Sequence, residues 1–205
     1  ASWRARPQGH VVVLQNILRE RADDVVRAHE HDGQWLPPEA AAGLLAAFGL
    51  TAWPTVRAAG VDEAVAAAHS LGWPVALKSP DARWRNRVDV GAVRLSIDTE
   101  TELIEAWTSV QALIGPSQFL VQPMAPPGVS TVVRLVRDVA VGPLLSLRLG
   151  GVAADLLVDP VTVTLPLTDR DATELVEGVR GASLLAGADR KALEDVLHRV
   201  ARLGE

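Results

Sequence analysis

The stretch WPVALKSPDARWRNRVDVGAVRL, Trp73 to Leu95, sets a lysine at the end of a short apolar run and follows it with a segment crowded with arginine. Only two of the 20 lysines and arginines in the chain are lysines, which makes Lys78 conspicuous. WPVALKS has the length and composition of a strand and VGAVRLSI alternates like a second one, so the arginine-rich segment reads as a loop between them. Lys78 then has two readings. It is a strand end whose long side chain snorkels to water, or it is an ammonium that faces a phosphate.

Outward from that pair the pattern keeps alternating. TAWPTVRAA is short, β-branched and bounded by Gly60, and VDEAVAAAHSLG predicts a helix capped by Asp62. DTETELIEAWTSVQALIG predicts a helix capped by Asp98 or Thr99, and QFLVQPM another strand. STVVRLVRD and VGPLLSLRL read as antiparallel strands joined around DVAVG. DRDATELVEGVR and DRKALEDVLHRVARL are two amphipathic helices. Toward the N-terminus, Leu14, Ile17, Leu18, Val25 and Val26 recur at helical spacing in VLQNILRERADDVVRAHEH. Gly33, Pro37 and Pro38 break that helix, and EAAAGLLAAFG predicts the next, ending at Gly49. Strands, helices and antiparallel pairs in this order imply a mixed α/β (α+β) architecture.

The totals set bounds. At 205 residues, 48% of them hydrophobic, the chain can build one large domain or two small lobes around a sizeable core. The absence of cysteine excludes a disulfide framework, a thiolate metal site and a thiol nucleophile, and fits a cytoplasmic protein. No run approaches the roughly 18 apolar residues of a membrane span, and the opening ASWRARPQGH has no signal-like apolar core, so no membrane partner is expected. A net charge of −5 and few aromatics argue against a nucleic-acid partner.

Taken in order, PPEAAAGLLAAFGL, DEAVAAAHSLGWPVALKSPD, RNRVDVGAVRL, LVQPMAPPGV, VRDVAVGPLLSLRLGGVAADLLVD and LPLTDRDATELV resemble the ATP-grasp domain of nucleoside-diphosphate-forming acyl-CoA synthetases, the acetate–CoA ligase-like proteins. The likeness is strongest to actinobacterial-looking versions joined to an N-acetyltransferase domain, and it covers nearly everything from Leu36 onward. The resemblance implies two α+β lobes with a nucleotide cleft between them. It divides the chain into residues 1–35, a linker and the tail of a preceding CoA-ligase domain, 36–120, the first lobe, and 121–205, the second. It implies ATP or ADP and Mg²⁺ as cofactors, and CoA-ligase and CoA-binding domains as partners on the same or another chain. Acid–CoA ligase activity of the ADP-forming type would need those domains. None of the five histidines falls in a matching motif, so no phosphohistidine is assigned here. The family's late Asp-x-Asn-Pro motif is expected just beyond Glu205.

Residue by residue, the resemblance implies that Lys78 reaches the nucleotide phosphates, where a compact charge with three donors suits oxygens spread over two phosphoryl groups. In the loop that covers the phosphates, Arg87 stands at the basic position, Asp89 at the acid and Gly91 at the first glycine, while Asn86 replaces a histidine and Ala92 a second glycine. Arg83, Arg85 and Arg87 alternate, so an extended loop would turn all three to one side. Gln122 and Met124 fall on the strand where the family places adenine, read by backbone N–H and C=O groups. Gly150 and Gly151 match cofactor positions, and Asp138 and Asp155 match carboxylates that can hold Mg²⁺. Asp159 also matches, or it holds a turn before Pro160. Ser130 stands where glutamate is common, and Arg134 and Arg148 where glycine is. These departures, with Asn86 and Ala92, support a second reading: a regulatory module that senses nucleotide or acyl-CoA for an attached acetyltransferase. A purely structural scaffold is a third.

Overall fold

The computed structural model describes residues 8–30, 35–84, 88–115, 117–151 and 160–205. In chain order its elements are α1 (Arg19–Ala28), α2 (Pro38–Ala47), β1 (Val56–Ala58), α3 (Val61–Leu71), β2 (Val75–Lys78), β3 (Val93–Ile97), α4 (Glu100–Ile114), β4 (Phe119–Pro123), β5 (Thr131–Asp138), β6 (Gly142–Leu149), β7 (Val161–Thr164), α5 (Asp169–Gly178) and α6 (Arg190–Leu203). They group into two compact units, Ala52–Pro126 and Ala1–Thr51 with Pro127–Glu205.

In the Ala52–Pro126 unit the strands form one antiparallel sheet in the order β1-β4-β2-β3. Period-2 alternation decides its two faces. Ala58, Val75, Leu77, Ile97, Phe119 and Val121 point to one side and are buried with Ala64, Ala67 and Ala68 of α3 and Leu103, Ala106, Trp107 and Val110 of α4. Trp107 meets Phe119 edge to face, with ring centroids 4.6 Å apart. The intervening residues of the two central strands, Ala76 and Lys78 on β2 and Leu120 and Gln122 on β4, turn to the other side. Thr99 caps α4, its hydroxyl accepting from the Glu102 N–H at 3.3 Å, so of the two candidate caps it is Thr99. α3 departs from expectation: Gly60 is its N-cap with no side-chain cap bond, and Asp62 sits in the first turn, where its charge complements the helix dipole.

In the other unit β5, β6 and β7 form an antiparallel sheet in that order, with the eight residues of β5 paired one to one with those of β6. Leu145 and Leu147 face Ala172, Leu175 and Val176 of α5 and Leu197 and Ala201 of α6. α5 begins with a full capping box, Thr168 accepting from the Asp171 N–H while the Asp171 carboxylate accepts from the Thr168 N–H. β7 was not foreseen in the sequence: VTVT is too short for alternation to separate it from a loop, and pairing with β6 makes it a strand.

One further expectation changes. The first helix starts at Arg19, leaving Leu14, Ile17 and Leu18 outside it, because Asn16 takes a left-handed conformation at φ +62° that a helix cannot continue through. The two units divide at Thr51 and Pro126. α1 and α2 belong with the C-terminal half, because Ala22, Ala47 and Phe48 share a small core with Leu203, and Arg199 Nη1 donates to the Phe48 carbonyl at 3.0 Å. Residues 121–126 stay in the other unit because β4 is an inner strand of its sheet.

Candidate functional site

Lys78 is the last residue of β2, an inner strand, and lies on the sheet face that α3 and α4 do not cover. It is half-buried rather than snorkelled, and burial pushes its ammonium below the ordinary lysine range, since the charged form loses hydration. Its hydrogen-bond partner is neutral: Nζ donates to Gln122 Oε1 at 2.5 Å. The antiparallel register explains the meeting, because Ala76 lies opposite Gln122 and Lys78 opposite Leu120, which makes Lys78 and Gln122 diagonal neighbours on one face.

The four strands of this sheet carry no carboxylate at all. The nearest acid after Lys78 in the chain is Asp81, and it is engaged elsewhere. Its Oδ2 accepts from Arg83 Nη2 at 2.6 Å and from Arg83 Nε at 2.9 Å, and this guanidinium holds the Asp81 carboxyl below the usual range. That pairing folds Ala82–Trp84 into a short 3-10 turn, so Arg83 is not part of an extended row of arginines as the spacing had suggested. Arg85, Asn86 and Arg87 lie outside the described residues. Asp89 is exposed in a turn, and Gly91 holds φ +80°, the left-handed conformation that favours glycine.

Gln122 and Met124 both make hydrogen bonds within the unit. The Gln122 amide is held at both ends, since Nε2 donates to Thr55 Oγ1 at 3.1 Å and to the Trp53 carbonyl at 3.5 Å. The Met124 N–H donates to the Pro74 carbonyl at 2.8 Å, and the Pro123 carbonyl accepts from Trp53 Nε1 at 2.6 Å. These backbone groups, expected to read a base edge, are thus used within the unit. Trp53 and Thr55 are the site residues that sequence reasoning missed. Nothing in TAWPTVRAA marks them, because their role depends on β1 lying beside β4.

In the other unit, Asp138 closes the β5–β6 hairpin. Its Oδ1 accepts from the N–H groups of Ala140 at 2.8 Å and Val141 at 3.0 Å, the arrangement of an Asx turn. Gly150 and Gly151 follow the far end of the same hairpin, roughly eight strand residues or about 25 Å away at the usual rise. Asp138 is therefore not placed beside them. The Gly150 N–H donates to the Ser130 carbonyl at 2.7 Å, and a Cβ at Gly150 would collide with the Ser130 hydroxyl and press on its Cβ at 3.2 Å, so the Ser130 side chain limits what fits there. Gly151 holds φ +94°. Arg134 and Arg148 lie on one face of the hairpin, Arg134 opposite Ser146 and Arg148 opposite Val132, and Arg148 Nη1 donates to the Leu149 carbonyl at 3.0 Å. Asp155 and Asp159 lie outside the described residues. Among the described residues no group of three or more His, Cys, Asp or Glu is placed to hold a metal ion, and no helix is long and apolar enough to cross a membrane.

Two antiparallel sheets, each backed by helices on one face, one with a half-buried lysine on the face its helices leave uncovered, define an α+β module. Residues 27–205 match the ATP-grasp domain, and the chain belongs to that family. It is 32% identical, over 92% of its length, to acetate–CoA ligase [ADP-forming] I of Archaeoglobus fulgidus, and spans 29% of that relative. It is 27% identical to the beta subunit of acetate–CoA ligase [ADP-forming] II of Pyrococcus furiosus, over 78% of this chain and 73% of the subunit. Among solved structures, the dinucleotide-forming acetyl-coenzyme A synthetase 1 of Ca. Korarchaeum cryptofilum, in complex with coenzyme A, Ca-AMPCP and HgCl+, is 29% identical with a TM-score of 0.77, over 89% of this chain and 85% of that one. The mixed α/β fold and the ATP-grasp assignment read from the sequence are thereby shown.

Proposed function

We propose that this chain is the nucleotide-binding module of an ADP-forming acyl-CoA synthetase-like protein. It binds ATP or ADP with Mg²⁺ in the cytoplasm and supports phosphoryl transfer between acyl-CoA and free acid, in company with CoA-ligase and CoA-binding parts on the same or a partner chain. The observation that carries this reading is Lys78, a half-buried cation whose partner is a neutral amide. An ammonium taken partly out of water without a counter-ion is a costly arrangement unless a ligand anion supplies the missing charge. Relatives named as ADP-forming ligases support this function over the acetyltransferase-linked sensor.

In this reading Lys78 neutralises phosphate charge, with Arg87, Asp89 and Gly91 contributed by the loop, Met124 beside the base, and Gly150 and Gly151 as backbone approach points. Among the described residues no group of three or more His, Cys, Asp or Glu is placed to hold the ion. The metal reading rests on the phosphate oxygens and waters that accompany the ion, and on Asp138 and Asp155. When bound, Mg²⁺ would neutralise phosphate charge; the chain's own contribution is to orient the phosphates by a fixed cation at the end of an inner strand.

Thermal unfolding with increasing Mg·ATP tests the reading. At a ligand concentration of 100 Kd the fold gains about 2.7 kcal/mol, and Lys78→Ala removes most of that gain. An unchanged midpoint for the unmutated protein in millimolar Mg·ATP, or an equal shift for Lys78→Ala, would refute it.

A further inference from the structure

We propose that Gln122 is the positioning residue for Lys78: its side-chain amide fixes the ammonium with a neutral oxygen, so that the lysine is oriented while its charge is left for the phosphates of a nucleoside di- or triphosphate. This rests on the reading of Lys78 as the phosphate cation and adds the device that prepares it.

The chemistry of the donors and acceptors fixes which way the amide points. An ammonium has three donors and no acceptor, so Gln122 must present Oε1 to Lys78. Its NH2 then faces two acceptors, Thr55 Oγ1 and the Trp53 carbonyl. Trp53 is itself pinned to the neighbouring residue, Nε1 donating to the Pro123 carbonyl. The ammonium is therefore the end of a chain of bonds running from β2 through β4 to the segment before β1. A lysine with four rotatable bonds loses rotamer freedom when it is fixed, and here that ordering is in place before any ligand arrives.

A carboxylate at position 122 would hold the lysine equally well, but it would supply the counter-charge from within. The structure avoids this throughout the surroundings. Among the described residues β1, β2, β3 and β4 carry no acid, Asp81 is bound by Arg83, and the other cation on this face, Arg57 on β1, is separated from Lys78 by Leu120. Asp89 is the remaining acid of the following loop, in an exposed turn.

The test compares Gln122→Glu, Gln122→Leu, Thr55→Val and Lys78→Ala in ATP and ADP binding by titration calorimetry at fixed Mg²⁺ and salt. A second readout is the pH dependence of Lys78 acetylation by a limiting anhydride, followed by mass spectrometry with exposed Lys191 as the internal reference. Gln122→Glu is expected to raise the Lys78 pKa, yet weaken ATP binding about 10-fold, because phosphate must displace an internal carboxylate. Gln122→Leu lowers the Lys78 pKa further and weakens binding by a similar factor, and Thr55→Val has a smaller effect of the same sign as Gln122→Leu. A residue with only a structural role would change the unfolding midpoint and leave the pKa of Lys78 where it was. Tighter ATP binding by Gln122→Glu, or unchanged affinity in both Gln122 variants while Lys78→Ala is impaired, overturns the inference alone. Unchanged affinity in Lys78→Ala overturns the phosphate reading and this inference with it. Gln122→Glu keeps the shape of glutamine, so the decision stands even where Gln122→Leu does not fold.

Discussion

The two sheets of this molecule are built on one plan and used differently. Each is antiparallel, and each buries one face against two helices. On the four-stranded sheet the face away from the helices carries a half-buried lysine held by an amide. On the three-stranded sheet it carries Arg134, which is exposed, and Arg148. The difference teaches where a charge has consequences. An exposed guanidinium keeps its water and has little effect on stability, whereas a desolvated ammonium stores unfavourable free energy that a bound anion can relieve.

The comparison can be broken or sharpened by substitution. The cores should prove equivalent: Phe119→Ala removes the partner of Trp107 and is expected to cost about 3–5 kcal/mol, and Leu145→Ala about 2–5 kcal/mol, read by denaturant unfolding. Equal and large losses keep the two sheets on one plan; a negligible loss in either would show that its helices do not bury it. Next in size, Gly150→Ala forces a methyl against Ser130 at the end of the β5–β6 hairpin and should cost about 1–3 kcal/mol. Adding Ser130→Gly should restore part of that loss in a double-mutant cycle.

The third contrast is one of sign. Lys78→Met should stabilise the ligand-free protein by about 1 kcal/mol or less, a figure reduced by the solvent that still reaches a half-buried group. Arg134→Met should change stability by no more than about 0.5 kcal/mol. The Lys78 effect also depends on pH. Its pKa is lowered on folding, so the unmutated protein gains stability as pH rises from the folded value toward 10.5, and the advantage of the methionine shrinks over that window.

The smallest effect belongs to His198 on α6, only 9% exposed. Burial lowers its pKa below 6.5, opposed by the nearby charges of Glu194, Asp169 and Asp195. Here the folded state resists protonation, so this contribution is complete above pH 6.5 and is lost as pH falls from there toward the folded value. His198→Gln should flatten the fall in unfolding midpoint between neutral and mildly acidic pH, and an unchanged slope would remove His198 from the account.

The sequence made much of this legible because its signals are local. Short apolar runs marked β2 and β4, alternation marked β3, the paired segments around DVAVG marked β5 and β6, capping residues marked α4, and the proline pair marked the start of α2. Lys78 was legible too, as a scarce residue type at the end of a strand. The Asp138 carboxylate also accepts from two N–H groups of its own hairpin turn, a role that motif order along the chain does not reveal.

By itself, then, the amino-acid sequence determined most of the elements and the family, because propensity, period and motif order reside in consecutive residues. Only the tertiary structure decided that Lys78, Gln122, Thr55 and Trp53 form one bonded chain. These residues come from three separate segments, and their meeting depends on the strand order β1-β4-β2-β3 and on a register that pairs Ala76 with Gln122. Strand order and register are set by the fit of whole buried faces against their helices, a non-local sum that no short window of sequence contains.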